Sequence, residues 1–347
     1  MKTATRPICA IILFILLAFI GNAQEKPAGD EARKHIFETF NNASRAYMAK
    51  NLQEAIPLYK AVYDAEIKAP VLPRLYWYVL VDCLGMAYGM TGQMESAEKI
   101  FLYGIANDPE YPLFHFNMAC VYAERNDLDR CLKHLENAYK YHKNTMPNET
   151  FPDPLTDDSF TGLLKNEKFT SRINELKTTA AKDTGTPGLT GRVFSDHMYR
   201  YTVTVPEKWD VEIPKEQYHV VRFKYIGMKA PEKQSLAKFN IMSMDGSGDH
   251  TLKQIAEEGF SVIKMIDPDY SIQRAEEIVL QGQKCYVTEI IYANKLKNGQ
   301  KLHQIDYTLA KNGIAYVFTF TGDDVFYQTH KKEITDFLDS FKFTWLN

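Results

Sequence analysis

Apolar positions along this chain change their period once. From about Glu31 to Ala181 they recur every three to four residues, the spacing of helices with one buried face; beyond Arg192 they alternate every second residue, the spacing of half-buried strands. Within the first stretch two segments overlay with a shift of 34 residues, which takes Tyr88 to Tyr122, Ala97 to Cys131 and Phe101 to Leu135. The first segment reads Leu84-Gly85, Tyr88, Ala97, Phe101 and Pro109; the second reads Met118-Ala119, Tyr122, Cys131, Leu135 and Ala138. Small residues at Gly85 and Ala97 let the two helices of a hairpin approach closely, while Tyr88 and Phe101 fill the gaps between successive hairpins.

That period with those offsets is the signature of the tetratricopeptide helix-turn-helix repeat. A looser copy precedes it, with one helix through Ile36, Phe40, Ala43 and Tyr47 and a second through Ala55, Tyr59 and Val62. This copy departs from the pattern. Ala55 to Ala97 is 42 residues, the excess lying around Lys68–Pro73, and Pro57 sits inside the second helix, where an interior proline costs about 3 kcal/mol. After Tyr139, the residues Leu155, Phe160, Leu163, Leu164, Phe169, Ile173 and Leu176 predict an element that closes the open end of the stack. The run Leu155-Thr-Asp-Asp-Ser-Phe160 with Leu163-Leu164 resembles the element that often follows such repeats in bacterial proteins. The array is therefore placed at 31–181, and Lys182 to Arg192 (KDTGTPGLTGR), without apolar period, is read as a linker.

Residues 193–347 form the second domain. Strands are predicted over Tyr199–Val205, His219–Tyr225, Ala237–Met244 and Tyr270–Leu280, and Asn298-Gly299 and Asn312-Gly313 each predict a tight hairpin, because a type I′ turn needs positive φ at both central residues. Helices over Thr251–Met265 and Val325–Ser340 complete an antiparallel α+β sandwich. The segment Tyr201-Thr-Val-Thr-Val-Pro-Glu-Lys-Trp209, the helix after Gly-Asp-His-Thr251-Leu, and the ending Tyr316-Val-Phe-Thr-Phe-Thr-Gly322 with Phe337-Leu-Asp-Ser-Phe-Lys-Phe343 resemble the PsbP/DcrB-like family. That resemblance spans about Arg192 to Trp345 and implies an αβα sandwich; its motifs are packing features, and characterised members of that fold are mostly accessory or docking proteins.

The ends and the charge narrow the setting. Lys2 and Arg6, the apolar run Ile8–Ile20 and Gly21-Asn22-Ala23 predict a secretory signal peptide over 1–23, cleaved after Ala23, and thus a periplasmic or secreted protein. Thirteen apolar residues are short of the about 20 a membrane span needs, and no later stretch is long enough. Without Lys2 and Arg6 the chain has 39 Lys and Arg against 44 Asp and Glu, a net charge of about −5, which argues against nucleic-acid binding. Cys83, Cys120, Cys131 and Cys285 form no CxxC pair and no disulfide framework; they are expected as buried thiols, with a Cys120–Cys131 disulfide as the alternative.

No catalytic motif is present: no HExxH, GxSxG, P-loop or glycine-rich dinucleotide turn. His115 and His134 read as structural. Asp245-Gly-Ser-Gly-Asp249 begins like a calcium loop but has His250 and Ala256 where a glycine and a glutamate are needed, so it reads as a loop whose Asp249 or Thr251 caps the next helix. No cofactor or metal is expected. The repeat groove is the functional candidate. In the tetratricopeptide family the concave face comes from the first helix of each repeat, which implies Val79, Asp82, Met86 and Met90 in one repeat and Leu113, Phe116, Cys120 and Glu124 in the next. Met86, Met90 and Phe116 would offer an adaptable apolar surface to an extended peptide or amphipathic helix, unless the capping element or the second domain covers them. The family's carboxylate clamp is absent, since only Asn117 matches it and Leu113 stands where a lysine is wanted. The three rings of Tyr76-Trp77-Tyr78 cannot all face one core, so at least one is expected outward or on a neighbouring loop; interhelix packing is the expected role, with a ligand platform, for instance for a sugar, as the alternative. The function expected is a non-catalytic adaptor docking a protein in the groove; the alternative is a small-ligand or glycan binder using a crevice of the second domain. On the groove reading Phe116→Asp abolishes capture of a partner and leaves the helical signal intact.

Overall fold

A computed structural model describes residues 28–146, 149–183, 185–214, 220–226, 237–245, 250–294 and 299–344. The signal-peptide segment, residues 246–249 of the calcium-like loop, and Asn298 of the first hairpin lie outside the described residues. The chain divides into two compact units between Pro187 and Gly188.

The first unit is an all-α repeat array. Its hairpins are α1 (Ala28–Met48) with α2 (Leu52–Lys68), α3 (Arg74–Met90) with α4 (Met94–Asn107), and α5 (Pro112–Glu124) with α6 (Leu128–Lys140). A 3-10 turn (Asp158–Leu163) and α7 (Glu167–Lys182) follow. Pro57 is the sixth residue of α2, past the first turn, and α2 continues through it as one helix. The small-against-large rule holds at atomic level: a Cβ on Gly85 would lie 2.5 Å from the Phe101 ring, and one on Gly104 would lie 2.9 Å from Phe114 and Val81. α3 is buried on every side from Tyr76 to Gly89. The aromatic run packs between helices as expected, but no ring of it points outward. Tyr76 packs on Phe37 and Phe40 of α1, Trp77 on Tyr103 of α4 and Phe114 of α5, and Tyr78 on Tyr111 and Phe114, so all three rings are taken up in packing. All four described cysteines are buried, and Cys120 and Cys131 form no disulfide with each other.

The second unit is an antiparallel α+β sandwich. Strands β1 (Leu189–Thr190), β2 (Val193–Asp196), β3 (Tyr201–Thr204) and β11 (Lys342–Phe343) form a small sheet, of which only β3 was expected, as Tyr199–Val205. The large sheet has the order β4-β5-β6-β10-β9-β8-β7, with β4 (Trp209–Glu212), β5 (Val220–Tyr225), β6 (Lys238–Asp245), β7 (Ser271–Leu280), β8 (Gln283–Asn294), β9 (Gln300–Lys311) and β10 (Ile314–Gly322). β1 occupies the second half of the segment read as a linker, hydrogen-bonded to β2 through the Leu189–Phe194 pairing. The turn Asn312-Gly313 has φ of 53° and 76°, as a type I′ hairpin requires. Gln281-Gly282, with φ of 49° and 75°, makes the same turn between β7 and β8.

Helices cover both faces of the large sheet. α9 (Asp324–Asp339) packs Phe326 and Phe337 on Phe223, Phe239 and Phe320. The opposite face carries Ile290, Tyr292 and Leu302, against which α8 (Leu252–Ile266) sets Ile263 and Phe260. α8 begins at a capping box in which the Thr251 hydroxyl accepts from Gln254 N–H and the Gln254 side chain accepts from Thr251 N–H. No described helix is long and apolar enough to cross a membrane.

Candidate functional site

The eight residues expected to line the groove do not share one environment. Val79, Asp82, Met86, Leu113, Phe116 and Cys120 are buried, Met90 is half-buried and Glu124 is exposed. Their burial has a specific cause at Phe116. The segment 149–163 lies against α5 and puts two of its own rings on Phe116, Phe160 at 5.5 Å and Phe151 at 6.1 Å, both edge-on. Phe151 also contacts Tyr139 of α6 at 5.0 Å, and Phe160 stacks on Phe169 of α7 at 5.7 Å. Met86 is covered from the other side, where Tyr47 of α1 reaches its sulfur at 3.8 Å. A groove open to solvent along Met86 and Phe116 is therefore not what the chain forms, and Phe116→Asp cannot be the silent probe expected above, because it would bury a carboxylate among aromatic rings.

The covering segment has a polar anchor. Residues 149–157 contain no helix or strand, and Pro152 and Pro154 rule out a regular ladder there. Glu149 turns its carboxyl into the array, where the Tyr111 hydroxyl lies 2.9 Å from Oε1 and 3.0 Å from Oε2, and the Met146 N–H donates to Oε2 at 2.9 Å. The same hydroxyl is 3.4 Å from Oδ2 of Asp82, whose Oδ1 accepts from Asn117 Nδ2 at 2.8 Å. Burial, reinforced by the Asp82 carboxylate, pushes the Glu149 carboxyl up to about 8. Burial, reinforced by Glu149 and then Asp82, also holds the Tyr111 hydroxyl well above its ordinary value. Lys177 of α7 pairs with Asp153 at 2.6 Å on the outer side of the segment.

Three other clusters were candidates for chemistry. His303, on β9, lies between two carboxylates, with Nε2 2.7 Å from Glu289 and Nδ1 3.3 Å from Asp324, and its ring sits 4.2 Å from that of Tyr327. Both ring nitrogens are engaged, so neither serves as a base toward a substrate. The His303 hydrogen bond holds the Asp324 carboxyl below its ordinary value. His115 and His134 face each other through Nδ1 atoms 3.3 Å apart. His115 Nε2 lies 2.8 Å from the Pro109 carbonyl, which can only accept, so neutral His115 carries its proton there and His134 Nδ1–H donates to it. Burial, and next the neighbouring His115, pushes His134 down to about 4, and burial lowers His115 as well. Burial pushes the Cys131 and Cys285 thiols up to about 12, far from a reactive thiolate. Among the described residues no group of three or more His, Cys, Asp or Glu is placed to hold a metal.

No family model and no curated protein sequence matches the chain. Solved structures similar to it include PsbP (CyanoP) of Synechocystis, at 17% identity over 46% of this chain and 95% of that one, with a TM-score of 0.35. PcrH of Pseudomonas aeruginosa is similar at 16% identity over 48% of this chain and 99% of that one, TM-score 0.28. LpqN of Mycobacterium tuberculosis, involved in cell envelope biogenesis, is similar at 14% identity over 42% of this chain and 83% of that one, TM-score 0.31.

Proposed function

We propose that this chain is a non-catalytic, exported adaptor of the periplasm or cell envelope that binds a protein through its helical array. The observation that carries the reading is the seating of 149–163. The array already holds an irregular peptide, anchored by two aromatic rings on Phe116 and by one carboxyl on Tyr111. A partner peptide of the same chemistry, extended and carrying two spaced aromatic residues, fits the place once the internal segment is displaced. The test uses the full chain and a labelled synthetic peptide of residues 149–163 with Glu149→Gln. Phe151→Ala in the protein removes a half-buried ring from the segment and leaves the walls of the array intact. This variant is expected to bind the peptide at least about tenfold more tightly than the parent chain, a difference of about 1.4 kcal/mol. If neither binds, the array is a closed core and the adaptor reading fails.

A second reading, a small-ligand binder, is favoured by one feature of the second unit. Asn240, Thr319, Asp306 and Thr288 stand in one row across β6, β10, β9 and β8. The Asn240 Oδ1, Asp306 Oδ1 and Thr308 Oγ1 atoms of that face are buried without a hydrogen-bond partner, although buried polar groups are ordinarily satisfied. On α8, Gly259 is exposed, with open space where its Cβ would be. A saturable rise in melting temperature with a neutral sugar, lost in Asp306→Ala, would put this reading first.

A further inference from the structure

Glu149 shares its one hydroxyl donor with a second acid. Tyr111 has one hydroxyl proton and two carboxyl groups within reach, at 2.9 Å for Glu149 and 3.4 Å for Asp82. With both acids ionised, that one proton is shared between two carboxylates, at half-buried Glu149 and buried Asp82. A proton on Glu149 removes the like-charge repulsion and adds a donor to the cluster. Other charges are screened or engaged elsewhere. Asp108, behind Tyr111, receives the Tyr78 hydroxyl and lies 3.9 Å from Arg74, and Asp153 on the outer side is held by Lys177. His142, whose ring is 6.4 Å from Phe151, directs Nδ1 to the Tyr139 carbonyl at 2.8 Å.

Taking the adaptor reading as the basis, we propose that the Tyr111–Glu149–Asp82 contact is a proton-operated latch that keeps the internal segment 149–163 seated on the array and releases it to make room for a partner when Glu149 ionises. The seated segment holds a proton on Glu149 up to about pH 8, whereas a released, solvated glutamate loses it near its ordinary value of about 4.3. Across that window the seated form binds more protons than the released form, so raising the pH favours release. The release constant grows about tenfold per pH unit and levels off above about pH 8. Glu149→Gln keeps the acceptor for Tyr111 and supplies an N–H toward Asp82, so it holds the segment at every pH.

Hydrogen exchange of the full chain, read on residues 155–166, tests this without any partner. The reporting amides include Thr156 and Asp157, bonded to the Asp153 carbonyl, and Phe160, bonded to the Asp157 carbonyl. Comparing parent and Glu149→Gln at one pH cancels the intrinsic pH dependence of exchange, and the β9–β10 hairpin provides the reference. The expected result is equal protection at low pH and, per pH unit between about 6 and 8, about tenfold faster exchange in the parent than in the variant. Asp82→Asn removes the like charge but leaves the burial of Glu149, so its protection is expected to lie between that of the parent and that of Glu149→Gln. Equal protection in all three proteins at every pH would overturn the latch and leave the segment as a fixed cap. A variant less protected than the parent throughout would make Glu149 a charged anchor and overturn it equally. Because no partner enters, a failed latch leaves the peptide titration above as the separate test of the adaptor reading.

Discussion

Phe116→Asp is expected to unfold the helical unit. Phe116 is fully buried, with Phe151 and Phe160 packed edge-on against it. Losing a buried phenylalanine costs about 3–5 kcal/mol by itself. The aspartate adds a buried carboxylate among those rings, a further cost that the group limits only by taking up a proton. Against a total stability of about 5–15 kcal/mol, these losses remove much or all of the margin. The melting temperature read at the helical far-UV band should fall by at least about 10 °C, or the helical signal should be gone at room temperature. Glu124→Lys, at an exposed position of the same expected groove, should change stability by no more than about 0.5 kcal/mol. A Phe116→Asp protein that melts within a few degrees of the parent would mean that the segment 149–163 does not cover this ring in solution.

The contrast between those two positions marks where the sequence was legible. Periodicity carried the array, because packing between hairpins constrains residue size at fixed offsets: Gly85, Ala97, Phe101, Cys131 and Leu135 are all buried where the 34-residue overlay requires them. The same rule named the concave positions but was silent on what fills them. Residues 149–157 have no period to read, and two prolines make them look like a loop. The closing element was only partly legible. Phe160, Leu163, Phe169 and Ile173 are buried as expected, but a 3-10 turn and a helix share them, and Leu164 between the two is exposed. Nothing in the sequence around Glu149 distinguishes a buried acid from a solvated one. Its partners Tyr111 and Asp82 are 38 and 67 residues away, and only the fold brings the three together. In the second unit, alternation carried the large sheet, whereas β1 and β11 are two residues each, too short to alternate.

The same substitution is expected to act with opposite signs in the two units. Gly85→Ala should destabilise the helical unit by about 1–3 kcal/mol. Alanine in a helix interior gains about 1 kcal/mol over glycine, but its Cβ would lie 2.5 Å from Cε1 and Cζ of Phe101. That is about 1 Å inside a normal carbon contact, and Phe101, itself buried, has little room to yield. Steric overlap therefore wins. Phe101→Leu shortens the ring and leaves a void, so it destabilises alone, but in the double variant the methyl enters part of that void. A coupling of about 0.5–3 kcal/mol in favour of the double variant is the signature of direct contact. Gly259→Ala in α8 meets nothing within 4 Å, so only the helix preference remains and stability should rise by up to about 1 kcal/mol. Denaturant midpoints at unchanged slope measure all four proteins. A stabilising Gly85→Ala would show that the α3–α4 contact is looser than the Phe101 geometry requires, and the reason for a small residue at that repeat position would have to be sought elsewhere.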